Sequence, residues 1–486
     1  MGGDMKLYRL LSGVSFELIT GELDVEVSGL EDNSKRVCRG NLFFAINGTR
    51  VNGEDYILEA INNGAEVVVT QSDTIPEGAK GITFVKVDNV RKVIGIVAKN
   101  YYCPNGYSFK IIGITGTNGK TTTSFMIGDG LEQNGYNVCV VGTSGIFVNG
   151  KQLRGEYLTT PDPIELQSLF GFLNSIYVDY VVMEVSAHAL DLEKLNGVEF
   201  NYSIFSNLTE DHLDYFGNME NYGLAKKKLF MGNLSKVKII NTSDEFGREI
   251  AKVGAISYGE CESDYKIEKI DNNCFKLTNN NFKIKIKLNI SGIYNFYNAT
   301  ASIIVLLSEG VKPKFIKKYF RNLKIVDGRY NEFSVRGHGK VVLDFAHTPD
   351  GLEKLLHNVR ENMKGVGRLI SVFGCGGNRD PKKRPIMGRI SGQNADYTII
   401  SIDNPRREPA DNVMADIQAG VQEVTDKYEI IMPRSLAILR AINMSEPSDV
   451  VVISGKGTEP YYEVNGKKEF YREDIVIDCI RKNLEK

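Results

Sequence analysis

No apolar run in this chain reaches the ~18 residues needed to cross a bilayer. The N-terminal stretch MGGDMKLYRLLSG also lacks an apolar core followed by a small-residue cleavage site. Neither a membrane span nor a secretory leader is expected, and the reading places the protein in the cytoplasm. Charge of one sign is missing as well: 59 Lys and Arg against 61 Asp and Glu leave a formal net charge of −2. Nothing in that balance draws the chain to nucleic acid or to an anionic membrane. The seven cysteines (Cys38, Cys103, Cys139, Cys261, Cys274, Cys375, Cys479) lie far apart, without CxxC or metal-ligand spacing. They read as isolated reduced thiols. Histidine is scarce, five in all, so the place of each one carries information. Internal repeats and low-complexity tracts are absent. What is present is an ordinary globular composition, 42% hydrophobic and 25% charged. The length of 486 residues suits about three domains at ~150 residues each.

Residues 24–100 alternate short apolar runs (Asn41 to Ile46, Ala65 to Thr70, Ile82 to Val87) with polar, Gly-containing turns, and Tyr56 to Asn62 has helical spacing. That describes a small mixed α/β domain over 1–109. Tyr101-Tyr102-Cys103-Pro104-Asn105-Gly106 reads as its exit connector. A second domain, 110–329, opens with a buried strand from Lys110 to Thr115 and a helix from about Lys120 to Asn134. Strand-like runs at Asn137 to Gly142, Tyr180 to Val185, Tyr202 to Ser206 and Val237 to Asn241 alternate with helical segments. This predicts a largely parallel sheet with helices on both faces. Residues 263–290 read as a local antiparallel piece, and helices around Asn295 to Ser308 and near 313–322 close the domain. Asp327-Gly328-Arg329 reads as a hinge into a third domain, 330–486. There, runs at Lys340 to Phe345, Leu369 to Phe373, Tyr397 to Ile402 and Val450 to Ser454 predict a second nucleotide-fold-like sheet. The expected fold class is therefore α/β in three domains: mixed α/β, parallel-sheet ATPase-like, and Rossmann-like.

The chemistry starts at Gly116-Thr117-Asn118-Gly119-Lys120-Thr121, a loop between a predicted strand and a predicted helix. Glycines let backbone N–H groups approach phosphate oxygens, and a helix N-terminus favours negative charge. Lys120 would reach the β- and γ-phosphates and the Thr121 hydroxyl would ligate Mg²⁺. Ile114 stands where the strict P-loop pattern has its first glycine.

This loop variant resembles that of the Mur ligases and folylpolyglutamate synthetases, which join a carboxylate to an amine through an acyl phosphate. The likeness continues along nearly the whole chain. Met183-Glu184-Val185-Ser186-Ala187-His188-Ala189-Leu190 resembles the family's MEVSSHAL segment. Asn207-Leu208-Thr209-Glu210-Asp211-His212-Leu213-Asp214 resembles NLxxDHLD, and Asp344-Phe345-Ala346-His347-Thr348-Pro349-Asp350 resembles DYAHTPD. Three of the five histidines lie in these segments. The resemblance implies ATP as co-substrate, bound by Gly116, Thr117, Asn118, Gly119, Lys120, Thr121, Thr122, Asn295, Arg329 and Asp344. It implies Mg²⁺ held by Thr121, Glu184, His212 and Lys226, with Lys120, Glu184, His212 and Lys226 as the catalytic set. In Tyr222-Gly223-Leu224-Ala225-Lys226-Lys227-Lys228, three adjacent lysines on a helix ordinarily form a solvated face. The resemblance alone picks Lys226 as the lysine converted by CO₂ to a carbamate.

Two further segments bear on the substrates. The loops Gly374 to Asp380, Asp403-Asn404-Pro405-Arg406 and Gly455 to Glu459 each follow a predicted strand. If those strands are parallel, two arginines and a glutamate gather at one sheet edge. That suits a ligand with both carboxylate and ammonium groups. DNPR resembles the acceptor motif of Mur ligases that add meso-diaminopimelate to UDP-N-acetylmuramoyl-L-alanyl-D-glutamate. The implied acceptor contacts are Arg379, Asp403, Asn404, Pro405, Arg406, Gly455 and Glu459. On the donor side, Asn33-Ser34-Lys35-Arg36-Val37 and Gly40 to Ala45 resemble the uridine-nucleotide segment DSRxVxxGDLFxA. Ser34, Thr159, Thr160, Ser186 and Lys194 are implied contacts to the muramoyl dipeptide. The expected role is a step of peptidoglycan synthesis, and so of cell-wall biogenesis, cell shape and division. The expected state is a monomer with no nucleic-acid or membrane partner. The same reaction with L-lysine or another diamino acid, another ligase of the superfamily such as a folylpolyglutamate synthetase, and a regulatory P-loop NTPase are the alternatives.

Overall fold

The computed structural model describes residues 3–48, 51–155, 158–232, 234–252 and 254–484; the outer limits of the expected first and third domains, 1 and 486, lie outside them. The chain groups into two compact units. The first comprises 1–113, 131–203 and 228–237, and the second 114–130, 204–227 and 238–486.

In the first unit a five-stranded sheet has the order Glu17–Thr20, Thr83–Lys86, Ala65–Thr70, Asn41–Phe44, Gly29–Glu31. Only the pairing of Glu17–Thr20 with Thr83–Lys86 is antiparallel. Leu42, Phe44, Val67, Val69 and Val85 face one side of this sheet, and they pack with Val90, Ile94, Val97, Ala98 and Tyr101. The last five residues recur at helical spacing and belong to a helix, Val90–Tyr102, begun by Asn89, whose side chain accepts the Arg91 N–H at 2.9 Å. The expected connector over 101–106 is thus half helix: its two tyrosines are the last turn, held because Tyr101 is buried in the core. Later in this unit Val138–Gly142 and Tyr180–Glu184 pair in parallel. A hairpin, Gly145–Val148 with Lys151–Arg154, extends that sheet antiparallel; the sequence reading had not assigned it.

In the second unit Ser235–Asn241, Ile256–Gly259 and Tyr265–Asp271 pair in parallel. From Tyr265–Asp271 the chain turns antiparallel through Cys274–Thr278 and Lys283–Lys287. The antiparallel piece expected over 263–290 is there, but it is joined edge-on to parallel strands rather than standing alone. A second sheet has the order Asn331–Phe333, Lys340–Asp344, Val450–Ser454, Leu369–Phe373, Tyr397–Ile400, Tyr428–Ile430. Only its first pair is antiparallel. Alternate residues feed two cores: Val342, Phe373, Ile400 and Val452 on one face, Val341, Leu343, Ile370, Val372, Ile399, Val451 and Ile453 on the other. A strand buried on both faces needs a largely apolar sequence, which is why these segments show no regular polar alternation and only single small polar residues such as Ser371 and Thr398. The register aligns Asp344 and Phe373 with Ser454, and Phe373 with Ile400. Four strands therefore end together, and the loops after them open at one edge. No helix among the described residues is long and apolar enough to cross a membrane.

Candidate functional site

The phosphate-type loop lies in the second unit between the end of strand Lys110–Thr115 and helix Lys120–Glu132. Gly116 has φ +151° and Gly119 φ +89°. A Cβ at Gly116 would lie 1.9 Å from Ser206 Oγ, and one at Gly119 2.5 Å from Asn298 Oδ1. Neither position can carry a side chain without displacing its neighbour. The segment after strand Phe200–Phe205 holds the loop: the Asn118 N–H donates to Asn207 Oδ1 at 2.9 Å, and Ser206 Oγ and Asn207 Nδ2 donate to Asn118 O at 2.7 and 3.0 Å. Thr117 Oγ1 donates to Thr209 O at 3.1 Å and accepts from the Thr209 N–H at 3.0 Å. Lys120 Nζ folds over the loop and donates to the carbonyls of Gly116 and Thr117, both at 2.9 Å. Thr122, next on the helix, is partly exposed. Arg329 Nη2 donates to Thr121 Oγ1 at 3.1 Å, and its guanidinium stacks 4.3 Å from the Phe345 ring. Asp344 accepts the N–H groups of Tyr330 and Ala346, both at 2.8 Å, which fixes the backbone on either side of that contact. Asn295, buried, donates to Ser291 O at 2.7 Å; Asn298, one turn on, is the asparagine beside Gly119 and accepts from Thr123 Oγ1 at 3.3 Å.

Next to the loop is a buried polar cluster. Of the three adjacent lysines only Lys226 is inside, 1% exposed, and its Nζ lies 4.2 Å from the centre of the Tyr222 ring. Burial and the nearby charge of Lys120 push the Lys226 ammonium well below its ordinary pKa, with only Asp211 opposing. Asp211 Oδ1 is 3.4 Å from Lys383 Nζ, and its Oδ2 is 3.3 Å from His212 Nε2 and 3.9 Å from His347 Nε2. Burial alone would raise the Asp211 carboxyl. Lys383 foremost, then the two histidines, outweigh it and hold the group far below the usual carboxylate range. His212 has φ +56°, a strained conformation for a residue other than glycine. Among the described residues no three His, Cys, Asp or Glu side chains stand close enough to hold a metal ion by themselves. Of the groups here, the Thr121 hydroxyl is an oxygen donor of the kind Mg²⁺ takes. That ion keeps several waters and shares its sphere with substrate phosphates rather than taking a full protein cage.

In the first unit Glu184, 1% exposed, closes strand Tyr180–Glu184. Its Oε1 and Oε2 accept from the N–H and Oγ1 of Thr143, each at 3.2 Å. A Cβ at Gly142 would come within 2.2 Å of Glu184 Oε1, so the carboxylate occupies room that only glycine leaves. Thr143 Oγ1 is 3.0 Å from Thr159 Oγ1, and Thr160 Oγ1 donates to Glu184 O at 2.9 Å and accepts from the Ser186 N–H at 3.0 Å. Glu184, Thr159, Thr160 and Ser186 are therefore one patch. A cavity of about 540 Å³ is lined by Ser34, Lys35, Arg36, Tyr56, Arg91 and Lys194, among others. Lys194 pairs with Asp162 at 2.6 Å. Within this lining the Ser34 hydroxyl is taken up by Glu59 Oε2 at 2.5 Å. The cationic side chains, Arg91 among them, are what the wall offers an anion. Arg91 lies outside every motif and carried no sequence signal.

At the shared strand edge of the second unit, the three expected loops meet. Asn404 Nδ2 donates to Glu459 Oε2 at 2.9 Å. Arg406 Nη1 donates to Gly377 O at 2.9 Å, and its Nε is 3.6 Å from Glu463 Oε2. A Cβ at Gly376 would lie 2.7 Å from Arg406 Nη1 and 3.6 Å from Arg379 Cγ, so both arginines flank that glycine. The Pro405 carbonyl stands so close that a Cβ at Gly377 would lie 2.0 Å from it, and a Cβ at Gly455 would lie 3.4 Å from Asp403 Oδ2. Arg406 has φ +56°; the hairpin Tyr461–Val464 with Lys467–Phe470 holds it there, its N–H donating to Glu463 O at 3.0 Å and its carbonyl accepting from Asn465 at 2.5 Å. Lys456, buried among these groups, was not singled out from the sequence. Behind the strand ends Arg434 donates to Glu473 Oε1 and to Ser454 O, both at 2.7 Å. Both members of that ion pair are buried, and Arg434 Nη1 and Glu473 Oε2 are left without hydrogen-bond partners.

Comparison with known proteins follows this geometry along the chain. Residues 26–102 match the family description "Mur ligase family, catalytic domain", 114–306 match "Mur ligase middle domain", and 328–457 match "Mur ligase, glutamate ligase domain". A protein of Clostridium acetobutylicum named UDP-N-acetylmuramoyl-L-alanyl-D-glutamate–2,6-diaminopimelate ligase 1 is 40% identical, over 98% of this chain and 99% of its own. One of Clostridium tetani with the same name, without the number, is 38% identical over 99% and 100%. A solved structure titled as that ligase is 26% identical, with a TM-score of 0.69 over 99% of this chain and 100% of its own. A MurF ligase of Thermotoga maritima in complex with ADP, at 18% identity and a TM-score of 0.58 over 94% and 97%, shares the fold.

Proposed function

The chain belongs to the Mur ligase family, and from that we propose that it joins meso-diaminopimelate to UDP-N-acetylmuramoyl-L-alanyl-D-glutamate at the expense of ATP. The observation that carries the acceptor assignment is the strand-edge pairing of Arg379 and Arg406 about Gly376, next to the Asn404–Glu459 pair. It offers forks for carboxylate and an acceptor for ammonium on one surface. The full-length relatives bearing that ligase name support it.

In this reading Gly116 to Thr121 cradle the triphosphate, and Lys120 leaves the loop carbonyls for phosphate oxygens. Mg²⁺, when bound, would neutralise charge on those oxygens, and within the second unit Thr121, His212 and carbamylated Lys226 would hold it. The substrate carboxylate takes the γ-phosphoryl group; the amine attacks the acyl phosphate, the amide forms and phosphate leaves. Lys226 suits carbamylation because burial favours the neutral amine, the form that attacks CO₂ with loss of one proton. Ser34, Thr159, Thr160, Ser186 and Lys194 take the muramoyl dipeptide side, with the 540 Å³ cavity as its nucleotide end.

The test is phosphate release with ATP, Mg²⁺ and the muramoyl dipeptide, with each amine in turn. Release is expected with meso-diaminopimelate. Faster release with L-lysine overturns the acceptor assignment, and release without acid or amine overturns the ligase reading.

A further inference from the structure

We infer that Lys456 is a positioning residue that sets the polarity of the acceptor site. The inference rests on the proposed acceptor site and deepens it. Lys456 is a cation with no side-chain exposure, a costly arrangement unless every donor is used. Its Nζ donates to Asn404 Oδ1 at 3.1 Å, to Glu459 Oε2 at 3.0 Å and to the Tyr461 carbonyl at 2.8 Å, and lies 3.6 Å from Asp403 Oδ1.

The consequence lies in Asn404. Its Oδ1 accepts from Lys456 and also from the Glu463 N–H at 3.0 Å, so both lone pairs of that oxygen are taken. The amide cannot turn over. Its Nδ2 is therefore fixed as the outward group, with one hydrogen on Glu459 Oε2 at 2.9 Å and the other left for a ligand oxygen. Glu459 is treated alike: Oε2 receives Lys456 and Asn404, while Oε1 has no hydrogen bond or ion pair among the described residues. The site is thus left with one amide donor and one carboxylate acceptor side by side, the complement of a carboxylate and an ammonium on the same carbon. Without the buried ammonium, Asn404 Oδ1 would keep only the Glu463 N–H and be held less firmly, and Asp403 and Glu459 would lose the cation they share.

The experiment uses the full chain and the phosphate-release assay. Lys456→Met keeps the stem and removes the charge. It should raise KM for meso-diaminopimelate roughly tenfold or more, the scale of one charge-assisted hydrogen bond. KM for ATP should stay within about twofold, and kcat at saturating amine should fall far less than kcat/KM. Lys456→Arg keeps the charge but not its three-way geometry and should fall between. A KM for meso-diaminopimelate at the wild-type value in both variants overturns the inference. If the methionine variant fails to bind ATP, the arginine variant decides: a raised amine KM with an unchanged ATP KM supports the role, an unchanged amine KM overturns it. Loss of amine dependence in the wild type would instead sink the acceptor reading on which this rests.

Discussion

Replacing Arg434 by methionine isolates the cost of a buried charge pair. The arginine is 3% exposed and Glu473 is fully buried, so neither is screened by solvent. Arg434→Met removes the bond to Glu473 and the bond to the Ser454 carbonyl. A hydrogen bond to a charged group is worth about 1.5–3 kcal/mol and a neutral one about 1 kcal/mol. The carboxylate left behind has no other hydrogen-bond partner among the described residues, so a loss of about 3–5 kcal/mol is expected, in the range for breaking a buried pair. The pair itself is worth much less, because Nη1 and Oε2 are already unsatisfied. The double variant Arg434→Met with Glu473→Leu should accordingly recover most of the loss. Burial raises the Glu473 pKa against the pull of Arg434. A carboxyl with a raised folded pKa is stabilising below its unfolded value, about 4.3, and that contribution is lost as pH rises through the folded value. In Arg434→Met the main lowering partner is gone and only the weaker pull of Lys456 remains, so the deficit should shrink as pH falls toward that window and be largest at pH 8. Chemical denaturation followed by far-ultraviolet circular dichroism measures this; the chain has no tryptophan to report by fluorescence. A single-variant loss under about 1 kcal/mol, or a double variant worse than the sum of the singles, refutes the reasoning.

Lys226→Ala should abolish phosphate release and be partly restored by small carboxylates, whereas Lys227→Ala, whose side chain is 26% exposed, should leave it near wild type; full activity in Lys226→Ala removes the carbamate. Arg406→Ala should raise KM for meso-diaminopimelate by roughly tenfold or more, the scale of a lost charge-assisted contact, and change L-lysine use little; equal effects on both amines count against a carboxylate contact. Gly142→Ala drives a methyl group into Glu184 Oε1 and should cut kcat by about tenfold or more while the chain still binds ATP, so wild-type kcat would show that the Glu184 position does not matter.

The strands carrying the site were legible because parallel strands buried on both faces are mostly apolar, and Val450–Ser454 and, apart from Ser371, Leu369–Phe373 are so. The helix Val90–Tyr102 was not, since Cys103-Pro104 and Asn105-Gly106 drew attention to its end while its apolar spacing went unweighed. In the site, the loop glycines and the DNPR turn stand out locally. Lys226 could not be told from Lys227 and Lys228 by physics, because what separates them is tertiary burial. Asp211 and His347 lay within recognised segments yet were given no role. Lys383 and the Asn404 contact of Lys456 depend on distant partners: Asp211 is 172 residues from Lys383, and Asn404 52 from Lys456. No window of sequence contains both ends of such contacts.

The hairpin that grips Arg406 by its own N–H and carbonyl has a consequence for exchangeability. Its unusual backbone angle is held from outside by Glu463 and Asn465, so unbranched side chains fit the turn while a β-branched one would strain it. The scaffold behaves as a socket: the residue at 406 can be swapped to favour another amine while the strand edge, the Asn404 amide and the nucleotide loop keep their places.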